Sequence, residues 1–225
     1  MTDLSWRAWS NSLRVLLMLG VLLFLSAGTL HYWQAWMYWA IYAAALCFNT
    51  AYFLQNDPAL IGRRLRAGPT AETSPSQRRI QAFTAICLLL MFVLAGLQRR
   101  FSWPSLPVIA SVIAAGVFVL SLAMVFVVFK QNSFAGSTVN VEHGQTIATR
   151  GLYGVVRHPM YSASAIAFLV TPVALGATWS WMGAVPATVA MMLRLRDEER
   201  QLQQGLPGYA DYCRAVRFRL FPGLW

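Results

Sequence analysis

Between Arg14 and Asp57 the chain runs for 42 residues, 15–56, without a formally charged side chain. Coiled as helix at about 1.5 Å per residue, such a stretch reaches about 63 Å, twice the thickness of a bilayer's hydrocarbon core. It therefore predicts two membrane crossings. The break between them is expected near residues 28–33, where His31, Tyr32, Trp33 and Trp36 form the kind of aromatic cluster that settles at a membrane–water interface. Asn56-Asp57-Pro58 reads as the end of the second helix. A polar segment follows at 62–79, with five arginines and turn formers at Gly68-Pro69 and Ser74-Pro75.

Two further apolar runs have the length of a span: 80–98, and 101–129, the latter helical from about Leu106. Residues 130–158 hold no apolar run, and Gly136, Gly144, Gly151 and Gly154 predict a loop with short turns. The next stretch, 159–193, has 35 uncharged residues interrupted by Pro172, Gly176, Trp179 and Pro186. Those interruptions suit a tight helical hairpin better than one long helix. Residues 194–225 are charged and partly amphipathic. The expected fold is all-α: a polytopic integral membrane protein with about five to six transmembrane helices and no Rossmann sheet. It is read as one membrane domain, with four spans in 1–129 and a loop, hairpin and polar tail in 130–225.

Composition agrees. Only 12% of residues are charged and 57% are hydrophobic, whereas soluble domains carry about 25% charged residues. The net charge of +10 comes from residues lying between apolar runs, which points to anionic lipid headgroups and not to nucleic acid. With six crossings, 16 of the 18 basic residues fall on the side of the N-terminus, and only Arg99 and Arg100 on the other. The positive-inside bias then places both termini on the cytoplasmic side. No A-x-A cleavage site separates the first two apolar stretches, so the N-terminal segment reads as a retained anchor. Cys47, Cys87 and Cys213 have no CxxC spacing, and His31, His143 and His158 are scattered, so no metal site is expected.

The polar groups that stand out bracket the hairpin. Arg157-His158-Pro159-Met160-Tyr161 precedes it, and Arg194 with Asp197-Glu198-Glu199 closes it. A hairpin returns both clusters to one surface, and ionisable groups beside hydrocarbon are retained at a cost that marks functional sites. His158 and Tyr161, three apart, share a helical face. The first-turn N–H groups after Pro159 are free to meet an anion. Arg194 and Glu198, four apart, also share a face; Arg194 can fork onto a carboxylate, and Glu198 can accept from hydroxyls or an ammonium. Each group also has an ordinary structural use: proline opens helices, Arg and Tyr anchor at interfaces, and charged helix ends pair internally. The turn Gly151-Leu152-Tyr153-Gly154 adds a stacking face just upstream.

In order, Gly-x-Tyr-x-x-x-Arg-His-Pro-x-Tyr, an apolar hairpin, Arg-x-x-x-Glu-Glu and Gly208-Tyr209-x-x-Tyr212 resemble the isoprenylcysteine carboxyl methyltransferase family and the related membrane phospholipid methyltransferases. The resemblance covers about 145–222. Two departures are Ser162 directly after the motif tyrosine and Ala163 where glycine is usual. The resemblance implies an S-adenosylmethionine site built from these segments, and the chain has no G-x-G-x-x-G after a strand. Carried over residue by residue, Gln145, Thr146, Ile147 and Ala148 would line the cofactor loop. Tyr153, His158, Pro159, Met160, Tyr161 and Glu198 would contact the cofactor. Arg194 would face the methyl acceptor, with Arg157 and Glu199 in support. The implied partners are membrane lipids and a lipophilic or lipidated acceptor, foremost a carboxylate such as that of a prenylated cysteine. A phospholipid amine or small thiol is the alternative; an amine would need a base such as Glu199 or a bound water. A nicotinamide-dependent sterol-type reductase shares a similar His-Pro-x-Tyr, but no basic cluster stands beside Tyr161 and the Glu-Glu pair fits the methyltransferases. A non-catalytic lipid-binding protein is the remaining reading.

Overall fold

The computed structural model describes residues 3–72, 74–138 and 144–225. Helix α1, Asp3–Gly20, continues through one π-helical turn, Val21–Leu25. It is followed by α2, Trp33–Asn56; α3, Pro58–Leu65; α4, Pro75–Arg100; and α5, Val108–Gln131. After a loop come α6, Pro159–Ala174; α7, Trp181–Gly205; and the short α8, Tyr209–Ala215. No strand occurs among the described residues.

Four helices are long and apolar enough to cross a membrane: α1 with its π-helical turn, α2, α4 and α5. Only 17% to 33% of the most apolar stretch of each is buried inside the protein. Leu13, Leu17, Ile86, Leu89, Ile109, Ile113 and Leu120 are all exposed. So much outward-facing apolar surface is stable in hydrocarbon and not in water. The protein is a multi-pass membrane protein.

The hairpin is shorter. Helix α6 has 16 residues, about 24 Å of rise, yet it runs from one end of the bundle to the other. At its far end Leu175 and Gly176 lie level with the starts of α2 and α5: Tyr32 Oη donates to the Leu175 carbonyl at 2.7 Å, and Leu106 N–H to the Gly176 carbonyl at 3.2 Å. Gly176 has φ of 65°, the left-handed residue that ends many helices. The turn falls there and not at the prolines. Pro172 and Pro186 lie inside α6 and α7, where each removes one backbone bond without ending its helix.

Helix α6 packs along α5, and α7 along α4, so that the hairpin separates α4 from α5. Gly183 sets the α4–α7 distance: a Cβ there would meet the Cys87 carbonyl oxygen at 2.3 Å and the Met91 nitrogen at 2.6 Å. This backbone approach brings the polar end of α7 against the start of α4.

Residues 58–65, which run into the polar segment read at 62–79, are helical. Asp57 Oδ1 accepts from Leu60 N–H at 3.0 Å, and Pro58 occupies the first helical position. The dipeptide that ends α2 thus also starts α3, by the same chemistry that makes Asp a cap and Pro a first-turn residue. Helix α4 likewise begins at Pro75, which puts Gln77 and Gln81 on a helix.

Candidate active site

The motif segments converge at the end of the bundle where α6 begins and α7 becomes polar. Pro159 opens α6, and the preceding backbone is pinned by the C-terminal segment. Arg157 N–H donates to the Phe218 carbonyl and His158 N–H to the Arg219 carbonyl, each at 2.9 Å. Ser162, the departure after the motif tyrosine, donates from Oγ to the Leu220 carbonyl at 2.6 Å. Its hydroxyl therefore helps hold that segment, which an apolar residue could not do.

Glu199 is the centre of this wall. Its buried carboxylate accepts from Arg157 Nε at 2.8 Å and from Arg219 Nε at 2.6 Å, with His158 Nε2 at 3.4 Å. Burial alone would raise its carboxyl. The hydrogen bonds from His158 and Arg219 and the charges of His158 and Arg157 outweigh burial and hold it at about 2. Arg157 also donates to the Cys213 and Val216 carbonyls at 3.3 and 3.1 Å. Glu199 is thus a fixed structural anion.

Its neighbour Glu198 faces the other way. It lines a cavity of about 450 Å³ and accepts a hydrogen bond from Tyr161 Oη at 2.5 Å. The two ends of the hairpin therefore meet directly. The cavity wall also includes Gln145, Thr146, Ile147, Ala148, Tyr153, Arg157, His158, Met160, Tyr161 and Arg194. Pro159 is buried beneath the wall as the first residue of α6, and Glu199 lies behind it. His143 lies outside the described residues.

The loop side is braced by side chains from α5 and α8. Leu152 N–H donates to Gln131 Oε1 at 3.0 Å, and Asn132 Nδ2 donates to Tyr153 Oη at 3.0 Å. Burial raises the Tyr153 phenol to about 12, with the Asn132 hydrogen bond lowering it and Glu198 raising it, so it stays protonated at neutral pH. Tyr212 Oη donates to the Tyr153 carbonyl at 2.7 Å, and Tyr209 Oη lies 3.4 Å from His158 Nε2. Both tyrosines line the cavity. Their Gly-Tyr-x-x-Tyr spacing was visible in the sequence, where α8 registered only as part of an amphipathic tail.

The opposite wall holds residues that sequence reasoning missed. Arg194 is engaged by three segments: its Nη2 lies 2.7 Å from Oε1 of Glu72, between α3 and α4, and 2.8 Å from the carbonyl oxygen of Ser137, after α5, and Nη1 donates to Oε1 of Gln77, on α4, at 3.2 Å. The Glu72 side chain is fully buried. Gln81 Nε2 donates to Glu72 Oε1 at 2.5 Å and to the Ser137 carbonyl at 3.3 Å. Arg194 is therefore not an open fork but one arm of a buried ion pair. The available signal was Glu72 itself, the lone acidic residue between Asp57 and Glu142.

From this polar end the cavity reaches into the bundle along three helices. Leu88 lies seven residues beyond Gln81 on α4, Phe168 seven beyond Tyr161 on α6, and Met191 just before Arg194 on α7; all three line it. Seven residues of helix is about 10 Å, so a polar chamber joins an apolar recess.

The family profile described as phospholipid methyltransferase matches residues 109–206. The matched segment runs from the start of α5 to just past α7 and contains every site residue expected from the sequence. Glu72, Gln77, Gln81, Tyr209 and Tyr212 lie outside it. No curated protein matches the chain.

Proposed function

We propose that this protein is a membrane methyltransferase that uses S-adenosylmethionine to methylate a lipid-like carboxylate, such as that of a prenylated cysteine; the match of residues 109–206 to the phospholipid methyltransferase family, which includes the isoprenylcysteine carboxyl methyltransferases, supports the reading. The observation that carries the reading is the cavity, polar where Tyr161 meets Glu198 and apolar where Leu88, Phe168 and Met191 line it.

The residues present fit the cofactor. Glu198 offers a carboxylate for hydroxyls or an ammonium, residues 145–148 offer backbone groups, and Tyr209 and Tyr212 offer aromatic faces. A volume of about 450 Å³ lies within the range of small-molecule sites. When bound, S-adenosylmethionine supplies a methyl group already activated as a sulfonium, so positioning is the main task left to the protein. On this reading Tyr161 orients the Glu198 carboxylate, and the Glu199 cluster keeps the start of α6 rigid. Arg194 forms the wall that the acceptor meets. The site end, which carries 16 of the 18 basic residues, faces the cytoplasm.

A carboxylate acceptor is favoured over an amine by what the described residues of the cavity lack. An amine must lose a proton before it attacks. Glu199 sits behind the wall with its carboxyl held at about 2, too weak a base for the task. Glu198 is occupied by Tyr161, and His158 Nε2 faces Tyr209 and Glu199. An acid is already deprotonated at neutral pH and needs none of them. The test is mass spectrometry of membrane extract incubated with the purified protein and methyl-labelled S-adenosylmethionine. A labelled lipid that loses its methyl in mild base, as an ester does, is expected. A base-stable methylamine or thioether as the labelled product would refute the carboxylate reading.

A further inference from the structure

Three arginines line the cavity: Arg64, Arg157 and Arg194. Two are matched by buried carboxylates, Arg157 by Glu199 and Arg194 by Glu72. Arg64 has no carboxylate within ion-pair distance among the described residues. Its Nη1 donates to the Ala135 and Gly136 carbonyls at 3.2 and 3.4 Å, and its guanidinium carbon lies 4.6 Å from the centre of the Phe129 ring. These contacts fix the side chain and solvate it in part, but they supply no anion. Its remaining guanidinium N–H groups have no hydrogen-bond partner among the described residues. They are not sealed in the protein either, because Asn49 Oδ1 is the one fully buried side-chain polar atom left unpartnered there. Arg64 lines the cavity, so an anion there can reach them.

Burial lowers the Arg64 guanidinium to about 10, with Tyr42 raising it and Arg194 lowering it, so it remains a cation at neutral pH. A half-buried charge without a counter-ion is costly. An incoming anion would offset that cost at this point of the wall and not at Arg194, whose charge Glu72 already meets.

The location narrows the anion's source. Ser137 links the two arginines: its Oγ donates to the Arg64 carbonyl at 3.3 Å, and its own carbonyl accepts from Arg194. Arg64 therefore belongs to the wall shared with Gln81 on α4, from which the apolar recess descends. Residues 145–148 and α8 form a different part of the cavity wall. We propose that Arg64 is the seat for the anionic group of the methyl acceptor, a carboxylate or phosphate heading an apolar tail that lies in the recess. This rests on the methyltransferase reading and deepens it by naming the acceptor's charge and the residue that receives it.

The full chain in nanodiscs of neutral lipid provides the test, with hexadecanoate, hexadecyl phosphate and hexadecanol as length-matched probes and S-adenosylhomocysteine titrated separately. The wild type should bind both anions about tenfold or more tighter than the alcohol, the scale of one charge-assisted hydrogen bond. Arg64→Gln should abolish that preference, Arg64→Lys should keep most of it, and neither should change S-adenosylhomocysteine affinity by more than about twofold. Preference for hexadecanoate would identify a free acid as the acceptor's anion and preference for hexadecyl phosphate a phospholipid headgroup; both support the seat. A wild type that does not prefer the anions overturns it, whatever the variants do. So does Arg64→Gln lowering S-adenosylhomocysteine affinity while sparing the amphiphiles, because the anion would then be the cofactor's own carboxylate. A wild type that prefers the anions yet ignores S-adenosylhomocysteine would instead refute the methyltransferase reading and leave the seat standing.

Discussion

The cavity has two walls built on the same device. On one, Glu199 gathers Arg157, Arg219 and His158 and so ties the C-terminal segment to the start of α6. On the other, Glu72 meets Arg194 and so ties the α3–α4 connection to α7. Each is a buried carboxylate that is worth little as a net interaction but is costly to remove, because removal strands a cation in a poorly solvated place. The two differ in what they hold. The Glu199 wall fixes the helix that carries Tyr161, whereas the Glu72 wall fixes the residue proposed to face the acceptor. The first should therefore govern cofactor affinity, and the second turnover of the acceptor.

The largest effect should come from Glu199→Gln. It leaves Arg157 and Arg219 without their anion, and a loss of about 3 to 5 kcal/mol is expected, read as a marked drop in the thermal unfolding midpoint with S-adenosylhomocysteine binding lost. The same wall has a pH signature. Glu199 is held at about 2 in the folded protein, below its ordinary value of 4.5. Its contribution is therefore complete above pH 4.5 and is lost as pH falls toward 2. An acid limb in the stability profile of the wild type, absent from Glu199→Gln, would bear this out.

Glu72→Gln should be milder in stability, about 2 to 3 kcal/mol, because it leaves one arginine, Arg194, without its anion where Glu199→Gln leaves two. Its diagnostic is a split: S-adenosylhomocysteine affinity within about twofold of wild type, and acceptor kcat/KM lower by about 30-fold, close to 2 kcal/mol. Equal losses in both would erase the distinction between the walls. Removing both partners, Glu72→Gln with Arg194→Gln, should recover stability relative to Glu72→Gln alone, since no stranded charge remains. The smallest effect is expected from Ser162→Ala. It deletes the hydroxyl that donates to the Leu220 carbonyl, at about 1 kcal/mol, seen as a small shift in unfolding midpoint with unchanged activity.

The two walls were not equally legible in the sequence. The Glu199 wall lies in the stretch whose motif order resembles the methyltransferases, and its hairpin geometry followed from 35 uncharged residues between two polar clusters. The long spans were equally plain, since a helix in hydrocarbon announces itself by length and lack of charge. Short amphipathic pieces were not. Asp57-Pro58 serves as a stop for α2 and a cap for α3, and sequence alone gave no reason to choose both. Glu72 and Arg64 sat in a segment that read as a polar connection rich in arginine. Their partners, Arg194 and the carbonyls of Ala135 and Gly136, are remote in sequence, and Glu72 meets Arg194 only after α4 packs on α7. That approach depends on Gly183, whose importance lies in a neighbour's backbone and not in its own surroundings in the chain.

Calorimetric titration of the nanodisc-embedded protein with S-adenosylhomocysteine, wild type beside Glu198→Gln, tests the central claim most directly. A saturable one-to-one isotherm is expected for the wild type, weakened by about 10- to 100-fold in the variant, the scale of a lost charged hydrogen bond. A wild type that gives no heat of binding, or a variant that binds as tightly, would contradict a cofactor site closed by Tyr161 and Glu198.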